Sequence, residues 1–160
     1  MQPTFRPVFV SGSDTQVQFV PNTANTYSTV YQYTVPAGQW VQLRNGALLV
    51  LNLRDANGAL INAESKIRIG YMDPGAISPT WFAELAYMPW YRTPLAEQYN
   101  DMKNSQLRVP VSMRDRSGRP MAWLDRTKGK DILISVDSPD VIDVAQSQIE
   151  LQVHQSPWIS

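Results

Sequence analysis

The chain reads as an all-β protein: an antiparallel β-sandwich, jelly-roll-like, with one long aromatic and proline-rich connection. Three observations predict this. Short runs of β-branched and aromatic residues recur along the 160 residues, separated by turn-forming Gly, Pro, Asn and Asp. Amphipathic runs of helical length are few. Finally, Leu53-Arg54-Asp55-Ala56-Asn57-Gly58 returns as Met113-Arg114-Asp115-Arg116-Ser117-Gly118, each copy lying between apolar, β-branched runs. In both, an Asp opens a turn and a Gly three residues on accepts a left-handed conformation, as a tight hairpin connection requires. The match is either a structural duplication or a coincidence around common turn residues.

Strands are predicted at Pro7 to Val10, Thr15 to Val20, Ser28 to Val35, Gln39 to Leu43, Ala47 to Arg54 and Lys66 to Ile69. Val17 and Phe19 alternate with Gln16 and Gln18, and Val30, Tyr31, Tyr33 and Val35 supply strand-forming side chains. Pro36-Ala37-Gly38 then punctuates. Ala47 to Leu53 is almost continuously apolar, which suits a central strand covered on both faces; a short buried helix fits the same periodicity, and the adjacent Gly and Asn favour the strand. Residues Tyr71 to Tyr99 carry seven of the sixteen aromatics together with Pro74, Pro79, Pro89 and Pro94. Because proline removes donors and fixes φ, residues 71–105 are expected to form a long connection holding at most a short helix around Trp81 to Met88. Connections of that length are usually functional. Strand patterning resumes at Gln106 to Arg114, Met121 to Leu124, Asp131 to Val136 and Ser147 to His154, where Ile149, Leu151 and Val153 alternate cleanly.

At 18.1 kDa the chain fits one domain, residues 1–160, able to bury a core without disulfides or metals. Fourteen basic residues balance fourteen acidic ones, so the electrostatic footprint of a nucleic-acid binder is missing and no nucleic-acid partner is expected. Cysteine is absent, which excludes disulfide scaffolds, thiol nucleophiles and thiolate zinc sites together. The start, Met1-Gln2-Pro3-Thr4-Phe5-Arg6-Pro7, lacks the pattern of a signal peptide, and no apolar run approaches membrane-spanning length. The expectation is a protein made and kept in the cytoplasm, with no membrane partner.

Chemistry-bearing motifs are sparse. Asp55, Asn57, Gly58 and Glu64 imitate the later part of an EF-hand loop, but its first ligand position falls on Leu53. Asp137, Asp140 and Asp143 form a second oxygen-rich stretch, read as solvated loop carboxylates. The single histidine, His154, has neither a Cys nor an HxxxH partner for a metal site. No GxSxG elbow presents a serine nucleophile. Glu64, Glu84, Glu97 and Glu150 offer carboxylates whose spacing sets no two of them at a glycosidase separation. Gly38, Gly46 and Gly58 are isolated, and no phosphate-binding loop appears. The basic run Arg114, Arg116, Arg119, Arg126, Lys128 and Lys130 is interleaved with Asp115, Asp125 and Asp131, so its field largely cancels. These readings predict a protein that is not an enzyme, with no cofactor, no metal and no catalytic residue.

The aromatic segment remains as the functional candidate. Trp81, Phe82, Tyr87, Trp90 and Tyr91 fill core in one reading. In another they form a protein interface, since Trp, Tyr, Met and Arg are enriched there. In a third they stack on sugar faces, which would make Trp81, Trp90 and Tyr91 the platform of a carbohydrate-binding module for attachment. The end Pro157-Trp158-Ile159-Ser160 is apolar, and Trp158 and Ile159 are expected to sit against a neighbour rather than in water.

The stretch Tyr33-Thr34-Val35-Pro36-Ala37-Gly38-Gln39-Trp40, a strand that ends in Pro-Ala-Gly and re-enters as another strand, resembles a turn found in β-sandwich virion proteins. Among these are the head decoration, or cement, proteins of tailed bacteriophages, and the resemblance covers mainly residues 28–72. It implies a jelly-roll structural protein on the outer capsid surface, often a homotrimer, whose partners are the major capsid protein or other virion subunits.

Overall fold

Period-2 alternation in the sequence becomes the two faces of two antiparallel sheets. The computed structural model describes residues 5–36, 39–43, 46–61, 64–73, 75–87, 107–110 and 131–157. The described residues hold ten strands and no helix: β1 (Arg6–Ser11), β2 (Val17–Phe19), β3 (Ser28–Thr34), β4 (Gln39–Gln42), β5 (Leu48–Asn52), β6 (Lys66–Met72), β7 (Thr80–Ala86), β8 (Leu107–Pro110), β9 (Asp131–Asp137) and β10 (Gln148–Pro157). The first sheet runs β1-β10-β5-β8, with β4 pairing β10 beyond the end of β5. The second runs β2-β3-β9-β6-β7. The chain is therefore all-β, a sandwich of two antiparallel sheets.

Register decides what each strand buries. In the first sheet Val10 pairs with Leu151 and Leu51 with Ile149; in the second Ile69 pairs with Ile134 and Tyr33 with Ile132. All eight belong to one buried cluster between the sheets. Fully burying an aliphatic side chain of this size contributes about 1.5–3 kcal/mol. The layers are also tied by a polar contact, since the Tyr31 hydroxyl on β3 donates across the core to the Val10 carbonyl on β1 at 2.8 Å. Val50 and Leu133, only 2% and 3% exposed, are out of phase with this set and lie on the outer faces, so parts of both outer faces are covered.

The first copy of the repeated hexapeptide forms the expected turn. Arg54 bridges Leu60, the Gly58 N–H donates to the Asp55 carbonyl at 3.0 Å, and the Asp55 N–H donates to the Ala59 carbonyl at 2.9 Å. Gly58 takes φ of 79°, the left-handed conformation of a three-residue hairpin loop. The Asp55 carboxylate accepts the N–H groups of Asn57 and Ala59, so it organises this loop. The Gln146 side chain then latches the loop to the 143–147 turn through the Asp55 and Ala56 carbonyls. The second copy, 113–118, and the expected strand Met121 to Leu124 lie outside the described residues.

One expectation is corrected. Residues 71–105 were expected as one connection with at most a short helix; instead Tyr71 and Met72 complete β6, and Thr80–Ala86 is strand β7, hydrogen-bonded to β6. The prolines at 79 and 89 flank this strand without entering it, and Ala83 and Leu85, two apart, turn onto the core. The strand expected within Ala47 to Arg54 is β5, whose Leu49 and Leu51 face inward while Val50 faces outward; the helix alternative falls away.

Candidate functional site

The sequence nominated the aromatics, and the structure distributes them. Tyr87 belongs to the core: it is 1% exposed, its N–H donates to the Ser65 carbonyl at 2.8 Å, and its hydroxyl accepts the Leu53 N–H at 3.1 Å. Burial pushes its phenol up, with the Leu53 hydrogen bond and the Arg54 charge opposing the shift. A ring so enclosed presents no surface to a partner, which corrects its nomination as a contact residue. Phe82 has its backbone in β7, where the β6–β7 register skips it, and its side chain lies outside what is described. Trp90, Tyr91, Trp158 and Ile159 lie outside the described residues.

Trp81 is the nominated ring that reaches a surface, and a register shift explains how. Ile69 pairs with Ala83 but Gly70 pairs with Trp81, so one extra residue on β7 turns Trp81 onto the outer face that Gly70 and Arg68 share. Gly70 makes room for it: a Cβ there would stand 2.7 Å from Trp81 Cε3 and would collide with the Thr80 carbonyl oxygen. The Arg68 guanidinium carbon lies 4.1 Å from the Trp81 ring centroid and 4.1 Å from that of Tyr27, a cation held between two aromatic faces. Arg68 Nε is buried with no hydrogen-bond partner among the described residues, and stacking offsets part of the cost of burying it. Burial pushes the Tyr27 phenol up, and the Glu84 carboxylate adds to the shift while the Arg68 charge opposes it. With Arg68 over its ring, half-buried Trp81 is a poor platform for a sugar.

Among the described residues the carboxylates do not converge. Glu84 is opposite Arg68 on the outer face of the second sheet, whereas Glu150, paired with Ser11 and Val50, is on the outer face of the first. These faces point away from one another. Asp143 Oδ1 accepts the Ala145 N–H and Oδ2 accepts from Gln146 Nε2, a turn-forming use of the carboxylate. An open hollow of about 510 Å³ is lined by Ser11, Ser13, Phe19, Ser147 and Glu150 among others. Glu150 is the only carboxylate among its described lining residues, and Oε1 of that group already accepts from Gln148 Nε2 at 2.8 Å.

Apolar exposure lies elsewhere, at residues the sequence reading passed over. Val8 and Phe9 on β1 are 38% and 43% exposed, and Ile77, between β6 and β7, is fully exposed. The signals were present: Val8-Phe9-Val10 is apolar without the alternation of a half-buried strand, and Ile77 is an aliphatic residue inside a Gly- and Pro-bounded turn.

β1 is an edge strand, and the phase of its ladder shows what that edge offers. The Gly12 N–H donates to the Ile149 carbonyl at 2.9 Å, so Val8 and Val10 direct their backbone groups toward β10 and Pro7, Phe9 and Ser11 direct theirs outward. Pro7 has no N–H. The Ser11 N–H donates to Asp14 Oδ2 at 2.9 Å, and the Ser11 carbonyl accepts the Asp14 N–H at 2.9 Å. Phe9 is left with an open pair of backbone groups, too little for an added strand.

No protein-family model matches the chain, and no curated protein matches it.

Proposed function

We propose that this protein is a non-enzymatic structural protein of a virion, a decoration or cement protein that binds the outside of a viral shell and stabilises it. Setting aside the short β2 and β4, the sheets run β1-β10-β5-β8 and β3-β9-β6-β7. This order supports reading the sandwich as a jelly roll, an architecture used by capsid and lectin domains alike. Fold-level analogy serves both uses. The observation that carries the choice is the apolar exposure of Val8 and Phe9, one on each face of an edge closed to strand addition, which suits docking by side chains. The sugar-binding alternative loses Trp81, whose ring Arg68 covers.

The test is co-sedimentation of the purified protein with empty heads of the virus that encodes it. The wild type pellets with the heads, and Phe9→Ser weakens binding about tenfold, equivalent to about 1.4 kcal/mol. Its unfolding midpoint stays unchanged, because Phe9 is not part of the core. Failure of the wild type to bind heads, with retention on a glycan array, would overturn the proposal.

A further inference from the structure

Among the described residues the sheet edges differ in how they are closed, and β7 offers the longest uninterrupted one; β4, with four residues, pairs only β10. β1 is blunted by Pro7 and by the engaged Ser11; β2 has three residues; β8 has four and ends in Pro110. β7 has seven residues, no proline and one ionisable side chain, Glu84. Its ladder phase follows from the Tyr87 N–H donating to the Ser65 carbonyl at 2.8 Å. Tyr87, Leu85 and Ala83 therefore direct their backbone groups toward β6, and Glu84 and Ala86 direct theirs away from it. No described strand meets those outward groups. An open edge of this length is a template for another strand.

We propose that β7 pairs antiparallel with β7 of a second copy of this chain, about a two-fold axis at Leu85, joining two five-stranded sheets into one. Charge and register select that axis. An axis at Glu84 would set two carboxylates directly opposite one another, which is destabilising. An axis at Ala83 would run the ladder into the register shift at Phe82. An axis at Leu85 pairs Glu84 with Ala86 of the second copy. In each copy Ala86 is paired with Lys66 and Glu84 with Arg68. The row across the join therefore reads Arg68, Glu84, then Ala86 and Lys66 of the second copy. The small alanine lets that lysine reach over it, so each Glu84 lies between two cations, and the arrangement occurs twice. Glu84, Ala86 and Lys66 are all exposed, and Leu85 on the inner face meets its own copy and prolongs the core.

The proposal does not rest on the shell reading, and light scattering tests it. The wild type is expected at twice the 18.1 kDa chain mass at micromolar concentration, with dissociation on dilution. Glu84→Lys and Lys66→Glu each weaken the dimer about tenfold or more, and the double variant restores it, an outcome that misfolding would not produce. The chain has no cysteine, so Leu85→Cys introduces one thiol. Facing residues of a non-hydrogen-bonded antiparallel pair lie about 4.5 Å apart at Cα, within disulfide range. Oxidation of Leu85→Cys gives a linked dimer, and Ala83→Cys gives none. A monomer at all concentrations, or a trimer, with no linkage at 85 overturns the pairing. The trimer result would leave the shell reading standing, whereas a dimer that ignores viral heads would keep the pairing and defeat the shell reading.

Discussion

Replacing Tyr87 by Phe removes one oxygen from the interior, and the structure sets the cost. That oxygen accepts the Leu53 N–H at 3.1 Å, and both residues are buried, Leu53 completely. Without it the fully buried Leu53 N–H loses this partner. An orphaned buried donor costs about 1–3 kcal/mol. Against a total stability of about 5–15 kcal/mol this is a large fraction. For a chain of this size it lowers Tm by about 2–12 °C. The assay is urea unfolding of wild type and Tyr87→Phe, with the midpoint lowered and the slope m unchanged. Tyr87→Ala, which also empties the ring's volume, should lose about 3–5 kcal/mol. The reasoning fails if Tyr87→Phe loses less than about 0.5 kcal/mol, within the range of ordinary surface substitutions. It fails more sharply if that variant keeps its stability but loses self-association or binding to viral heads, because Tyr87 would then be acting at a surface.

Alkaline stability follows from the buried phenols. Burial pushes Tyr33 up to about 12 and raises Tyr31 and Tyr87. Unfolded tyrosine titrates near 10. The native state thus holds protons that the unfolded state gives up, so this contribution is complete below about pH 10 and is lost as pH rises through about 12. Urea melts at successive pH values should show a falling midpoint over that window, less steep in Tyr31→Phe; a flat profile would refute the burial. Gly70→Ala should cost about 1–3 kcal/mol and alter the near-ultraviolet dichroism of Trp81, because its methyl meets the Thr80 backbone and the indole. Gly75→Ala meets nothing within 4 Å and carries only the cost of φ at 77°, about 1–2 kcal/mol, with the Trp81 signal intact.

What the sequence conveyed well was alternation. Ile149, Leu151 and Val153 point inward as written, and Asp55 with Gly58 closes the turn as expected. β7 was hidden because prolines at 74, 79, 89 and 94 made the whole stretch look broken, although none falls within Thr80–Ala86. Trp81 illustrates a deeper limit. Plain alternation places it with Ala83 and Leu85 on the core side, and a single skipped residue sends it to the opposite face. A register shift depends on the partner strand as much as on its own sequence, so no pattern confined to β7 announces it. Arg68 was missed for the same reason: the two rings that hold it, Tyr27 and Trp81, are far from it in sequence and meet it only through pairing.

The two apolar edges bear on assembly in different ways, and the difference lies in backbone donors rather than hydrophobicity. On β1 a proline and an internally satisfied serine withdraw the groups a strand would need, while Val8 and Phe9 stay exposed. On β7 the outward donors and acceptors at Glu84 and Ala86 meet no described strand, yet Glu84 penalises any pairing that would set it opposite itself. Such a charge acts as a register key: it leaves strand addition possible and restricts it to partners that offer a small residue backed by a cation, as Ala86 and Lys66 do. Glu84→Gln separates these effects. It should leave dimerisation largely intact while admitting the register with residue 84 opposite itself, in which Leu85 faces Ala83, so that Leu85→Cys cross-links less completely in the Glu84→Gln background than alone. If the linkage at residue 85 is equally complete in both backgrounds, the carboxylate is not setting the register.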